Sequence, residues 1–163
     1  MRKQFDKVIN SRKEDFYLPK EWNNIIKNRK VVLYNTSLQA ALDNADNVCA
    51  KLRQVLTFFR KRQDFAIWWR PHPLMLSALK SMRPWVASEY EEIVEQYKRE
   101  GWGIYDDSAE LERAITYSDA YYGDQSSVVW LYQATGKKIL IQDTTDKPYA
   151  PYWFYDVVEI RER

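Results

Sequence analysis

The sequence is short of several things, and each shortage narrows what it encodes. A single cysteine, Cys49, in 163 residues excludes a disulfide framework and a cysteine-based metal site, and points to a reducing setting, the cytoplasm. No apolar run approaches the ~18 residues of a membrane span, and Met1-Arg2-Lys3-Gln4-Phe5-Asp6 lacks the apolar centre of a signal peptide. Membrane contact is therefore expected to be peripheral, at the inner face of the cell membrane. Charge of one sign is also missing: Lys+Arg 25 against Asp+Glu 23 leaves a net +2, too even for nucleic acid as a partner. There are no repeats, no low-complexity tract and only one histidine, His72.

What is present is core. A hydrophobic content of 45%, with 15% aromatic, suffices for one folded domain at this length. Residues 1–29 read as a polar lead-in, with a short helix opening at Pro19-Lys20-Glu21 and an apolar stripe at Trp22, Ile25 and Ile26. Lys30 to Tyr34, Phe65 to Trp69, Trp102 to Tyr105, the residues running into Gly123, and Lys138 to Ile141 read as five strands. Between them fall helical stripes: Val48, Leu52, Val55, Leu56 and Phe59; Leu74 to Met82; Val86, Tyr90, Ile93, Val94 and Tyr97; and Leu111, Ala114 and Ile115, which Ser108 is expected to cap. A last helix follows Ser126 and stops at Gly136. Strands alternating with helices predict an α/β fold, a Rossmann-like parallel sheet with helices on both faces over residues 30–142.

Ligands of such sheets bind at the carboxyl ends of the strands, and four polar loops fall there. Gly123-Asp124-Gln125-Ser126-Ser127 joins a strand to a helix; Gly123 offers bare backbone, Asp124, Ser126 and Ser127 sit beside unpaired helix N–H groups, and the turn suits a phosphate. The plainer alternative is that Asp124 or Ser126 only caps the helix. Arg70-Pro71-His72-Pro73 holds an imidazole between two prolines with a guanidinium two residues away, suited to neutralising phosphate or to acid/base work. A histidine that packs locally is the alternative there. Asn35-Thr36-Ser37 supplies two hydroxyls, and Asp106-Asp107 either holds a ribose or serves helix-start electrostatics. No metal-ligand motif or cofactor signature stands in the sequence, so none is expected in the protein itself; a divalent ion would arrive with the ligand.

The order and spacing of Trp69-Arg70-Pro71-His72-Pro73, of Asp119 to Val129, and of Gly136-Lys137-Lys138 resemble the carboxyl-terminal half of the CDP-glycerol glycerophosphotransferase family, over roughly Lys30 to Gln142. Those enzymes have a GT-B glycosyltransferase fold of two Rossmann-like domains and build polymers such as teichoic acids from CDP-glycerol. By that resemblance His72 is the histidine that contacts the donor phosphates and is the catalytic candidate. Ser126 and Ser127 bind the pyrophosphate, Asp124 is the aspartate of the same motif, and Thr36 and Ser37 face the cleft between domains. The chain departs from the family where Thr-Asp-Tyr-Ser-Ser is replaced by Gly123 to Ser127. The family's first domain, with the acceptor side and another histidine, has no counterpart here, so a missing domain or partner chain is expected to complete the site. Two readings compete: half of a UDP-sugar transferase or epimerase, and a non-catalytic module whose aromatic segment, residues 143–163 with Tyr149, Tyr152, Trp153, Phe154 and Tyr155, docks a partner or a membrane surface.

Overall fold

The computed structural model describes residues 2–142; the aromatic segment 143–163 lies outside the described residues. Five strands form one all-parallel sheet: β1 (Lys30–Thr36), β2 (Phe65–Pro71), β3 (Ile104–Tyr105), β4 (Ala120–Gly123) and β5 (Lys138–Ile141), in the order β3-β2-β1-β4-β5. The α/β, Rossmann-like architecture expected from the alternation is what the chain adopts. Eight helices connect and cover the strands among the described residues: α1 (Arg2–Asn10), α2 (Lys20–Ile26), α3 (Leu38–Asp43), α4 (Ala45–Arg60), α5 (Met75–Met82), α6 (Pro84–Glu100), α7 (Leu111–Tyr117) and α8 (Ser127–Gln133).

The strands read as unbroken apolar runs because both faces are covered. Successive side chains alternate between two cores: Val32, Tyr34, Ile67, Trp69 and Tyr122 pack beneath α3 to α6, while Val31, Leu33, Trp68 and Tyr121 pack beneath α1, α2, α7 and α8. Trp68 and Trp69 are therefore both fully buried, on opposite faces. At roughly 200 Å² apiece, each contributes up to about 5 kcal/mol of apolar burial. The lead-in is one of these layers, since Phe5, Val8, Leu18, Trp22, Ile25 and Ile26 all belong to the second core.

Element ends follow local chemistry. Pro84 opens α6, Lys98 and Arg99 occupy its last turn, and Gly101 ends it in the left-handed conformation at φ 64°. The helical stretch after β1 is broken at Asn44 into α3 and α4. β1 and β2 run two residues past their expected ends, to Thr36 and Pro71, and β3 begins at Ile104 rather than Trp102. Helix boundaries shift as well. α7 begins at Leu111 behind Glu110, not at Ser108, because the Ser108 hydroxyl is drawn back to the Asp106 carboxylate at 2.6 Å. α8 ends at Gln133, and the chain turns through Ala134 to Gly136 before β5.

The strand order sets where a ligand can enter. From β1 the chain steps to β2 and β3 on one side, then crosses to β4 and β5 on the other, so the connections leaving β1 and β4 diverge between two hydrogen-bonded neighbours. That divergence opens a crevice at the carboxyl edge, the switch point at which doubly wound sheets bind ligands.

Candidate functional site

A cleft of about 160 Å³ lies at this switch point, lined by Asn35, Thr36 and Ser37 from the end of β1, Arg70 to Pro73 from the end of β2, Leu111 of α7, and Ser126, Ser127 and Val128 at the start of α8. Six residues singled out in the sequence, Thr36, Ser37, Arg70, His72, Ser126 and Ser127, thus meet in one place although they come from three separate loops. Asn35 belongs with them. In the sequence it reads as a turn residue; in the structure it is the buried sixth residue of β1.

Hydrogen bonds running away from the cleft fix what these side chains offer to it. Burial pushes the Tyr121 phenol up, so it keeps its proton, which it donates to the Asp124 carbonyl at 2.5 Å. Tyr121 must then accept from Asn35, which orients the Asn35 amide: Nδ2 donates to Tyr121 Oη and to Ser126 Oγ, each at 3.2 Å. Ser126 Oγ also accepts from the Val128 N–H at 3.3 Å. Its hydroxyl also bonds the Tyr121 phenol oxygen, so its proton is already engaged. At His72, Nδ1 accepts from the Leu74 N–H at 3.1 Å, so in the neutral ring the proton sits on Nε2. The His72 ring is exposed, while its backbone N–H donates to the Thr36 carbonyl at 3.1 Å, tying the two loops together. Thr36 Oγ1 accepts from Trp69 Nε1 at 3.1 Å, and Ser37 Oγ accepts from the Ala40 N–H. The guanidinium of Arg70 and the Nε2–H of neutral His72 are donors at the cleft.

Four other residues proposed from the sequence stand elsewhere. Gly123, at φ 152°, is needed by the sheet: a Cβ there would overlap the Asn35 carbonyl, so its bareness lets β4 approach β1. Asp124 is buried and turned inward. Its Oδ2 accepts from the Ser37 N–H and its Oδ1 from Gln142 Nε2, both at 2.7 Å, bracing the β1 and β4 loops against the end of β5. Burial drives its pKa up, against the hydrogen bonds from Gln142 and Ser37 and the charge of Lys51.

Asp106 is also buried, with its side chain 0% exposed, and pairs with Arg70. Its Oδ2 accepts from Trp68 Nε1 at 2.9 Å and Arg70 Nη1 at 2.7 Å, and its Oδ1 from the Ser108 N–H and hydroxyl. Burial raises its pKa, but the Ser108 bonds, the Arg70 charge and the Trp68 N–H outweigh burial and leave it lowered. Asp107 is exposed and does not line the cleft.

Fold and cleft together define a Rossmann-like α/β protein with a polar crevice at its switch point. Compared with protein-family models, curated proteins and solved structures, the chain matches none of them. Among the described residues no helix is long and apolar enough to cross a membrane.

Proposed function

We propose that the cleft seats the diphosphate of a nucleotide-activated donor, and that the chain is the donor-binding domain of a glycerophosphotransferase-like enzyme using CDP-glycerol or a similar CDP-activated alcohol. The observation that carries this reading is the convergence of Arg70 and the Nε2–H of neutral His72 on one cleft, where they suit the acceptor oxygens of a phosphate. The cytidine and polyol parts rest on the resemblance of the Arg70 to Pro73 and Gly123 to Ser127 loops.

Phosphoryl transfer asks a protein mainly for positioning and charge stabilisation. In this reading an acceptor hydroxyl gives its proton to a base on the facing domain or partner chain and attacks the polyol-bearing phosphorus, the P–O bond to CMP breaks, and negative charge grows on the departing phosphate. His72 Nε2–H and Arg70 donate to that charge, and Ser126 and Ser127 hold the diphosphate in place. At about 160 Å³ the cleft is smaller than the roughly 300–1,000 Å³ of complete small-molecule sites. It suits the phosphates, with the nucleoside and acceptor covered by a facing domain or partner chain. The cytoplasm, at the membrane's inner face, is the compartment that this reading implies.

Calorimetric titration of the purified chain with CDP-glycerol, CDP and UDP tests the proposal. Cytidine ligands are expected to bind best, with affinity lost in His72→Ala and weakened in Ser127→Ala while the circular dichroism spectrum is unchanged. Equal binding by wild type and both variants overturns the assignment, and a preference for UDP transfers it to a sugar-nucleotide transferase or epimerase.

A further inference from the structure

We infer that Asp106 is a positioning residue for the anion cleft: it clamps Arg70 so that the guanidinium is presented to the ligand in one orientation. The inference rests on reading the cleft as a phosphate site and assigns to Asp106 a task at that site other than ribose binding.

An arginine on a loop has many rotamers, and a charge that wanders is a poor ligand for a phosphate. Arg70 does not wander. Its side chain is 13% exposed; Nη1 donates to Asp106 Oδ2 at 2.7 Å, and Nη2 donates to the Ser108 carbonyl at 3.0 Å. This two-point hold uses two of the five N–H groups of a planar fork and leaves the others for the cleft that Arg70 lines.

Asp106 is itself immobile, because its partners come from three parts of the fold. Trp68 Nε1 reaches it from the middle of β2, Ser108 closes the turn after β3 around Oδ1, and Arg113 Nη2 of α7 stands 3.8 Å from Oδ1. Arg113 is in turn pinned, with its guanidinium 4.8 Å from the centre of the Trp22 ring and its Nη1 2.9 Å from Glu110. The carboxylate thus stands between two guanidiniums, with Arg70 at 2.7 Å and Arg113 at 3.8 Å. Arg70 is held along one side of its fork, and its remaining N–H groups stay available to an anion.

The alternative is that Asp106 only stabilises the turn before α7. A double-mutant cycle on ligand affinity separates the two, because a purely structural aspartate shifts the unfolding midpoint and leaves the affinity of the folded protein unchanged. Inorganic pyrophosphate is titrated calorimetrically into wild type, Asp106→Asn, Arg70→Lys and the double variant, at temperatures where each is folded. Each single variant is expected to bind about tenfold more weakly, the scale of one charge-assisted hydrogen bond lost, and the double variant no more weakly than either.

Asp106→Asn with wild-type affinity, or effects that add, overturns the clamp while leaving the phosphate cleft standing. Arg70→Lys keeps the charge and loses the fork; if it binds as wild type does, the clamp is overturned even where Asp106→Asn fails to fold. Wild type that binds neither pyrophosphate nor CDP overturns the cleft reading and the clamp with it.

Discussion

Two buried carboxylates stand behind the same cleft and are held in opposite ways. Asp124, between β4 and α8, is met by N–H groups of Ser37 and Gln142, and burial raises its pKa in spite of these bonds and the charge of Lys51. Asp106, between β3 and α7, is met by two arginines, a hydroxyl and an indole, and its pKa is lowered in spite of burial. Both follow a strand's carboxyl end and both look like ligand-binding residues in the sequence. The difference lies in what the fold brings to each, a tether in one case and an ionised anchor in the other.

The largest effect belongs to the glycine beside Asp124. Gly123→Ala is expected to cost about 3–5 kcal/mol, since the new methyl meets the Asn35 backbone at a φ that L-residues avoid. Urea unfolding measures this, and a change below about 1 kcal/mol would show that the close approach of β1 and β4 is unimportant.

Next come the carboxylates themselves. Asp106→Ala leaves Arg70 and Arg113 without their shared partner and is expected to destabilise by about 3–5 kcal/mol. Asp124→Asn sets two amides against each other, and turning Gln142 to match gives up the bond its Oε1 accepts from Tyr34, so the cost is expected to be about 1–2 kcal/mol. Equal losses in the two variants would erase the distinction between anchor and tether.

Acid titration sharpens the comparison because the signs differ. With its folded pKa lowered, Asp106 contributes stability above the unfolded value of about 3.9 and loses that contribution as pH falls through the folded value. With its folded pKa raised, Asp124 contributes below about 3.9, and the contribution is lost as pH rises through its folded value. Unfolding free energies across a pH series are therefore expected to show a flatter acid limb in Asp106→Asn. In Asp124→Asn stability is expected to gain relative to wild type as pH rises above about 4. The smallest effect is Ser126→Ala, about 1 kcal/mol for a lost helix cap, measurable as a few degrees in the melting temperature.

Much of the fold was legible because its signals are local. The runs from Lys30 to Tyr34 and from Phe65 to Trp69 announce strands covered on both faces, and Pro84 and Gly101 mark the ends of their helix. Six cleft residues were legible through a topological rule, since loops at strand carboxyl ends converge whatever their sequence. The inward turn of Asp106 and Asp124 was not legible. It depends on Arg70, 36 residues from Asp106, and on Gln142, 18 residues from Asp124, partners that only the folded chain supplies. Asn35 was hidden for a similar reason: an asparagine before Thr-Ser signals a turn until the pairing of β1 with Gly123 draws it into the sheet. α1 was obscured by its charge, although Phe5 and Val8 are spaced as a helix needs.

The position of β1 has a consequence in time. Its two neighbours come from different parts of the chain: β2 follows after one helical crossover, whereas the Val31 contact with Asp119 spans 88 residues. Loop-closure entropy makes the second pairing the slower one to form. The cleft needs both pairings, so it is expected to be completed late in folding and undone early in unfolding. An anion bridging the β2 loop to α8 would act as a brake on that first opening, and protection of the β4 amides from hydrogen exchange would register its presence before any chemistry is observed.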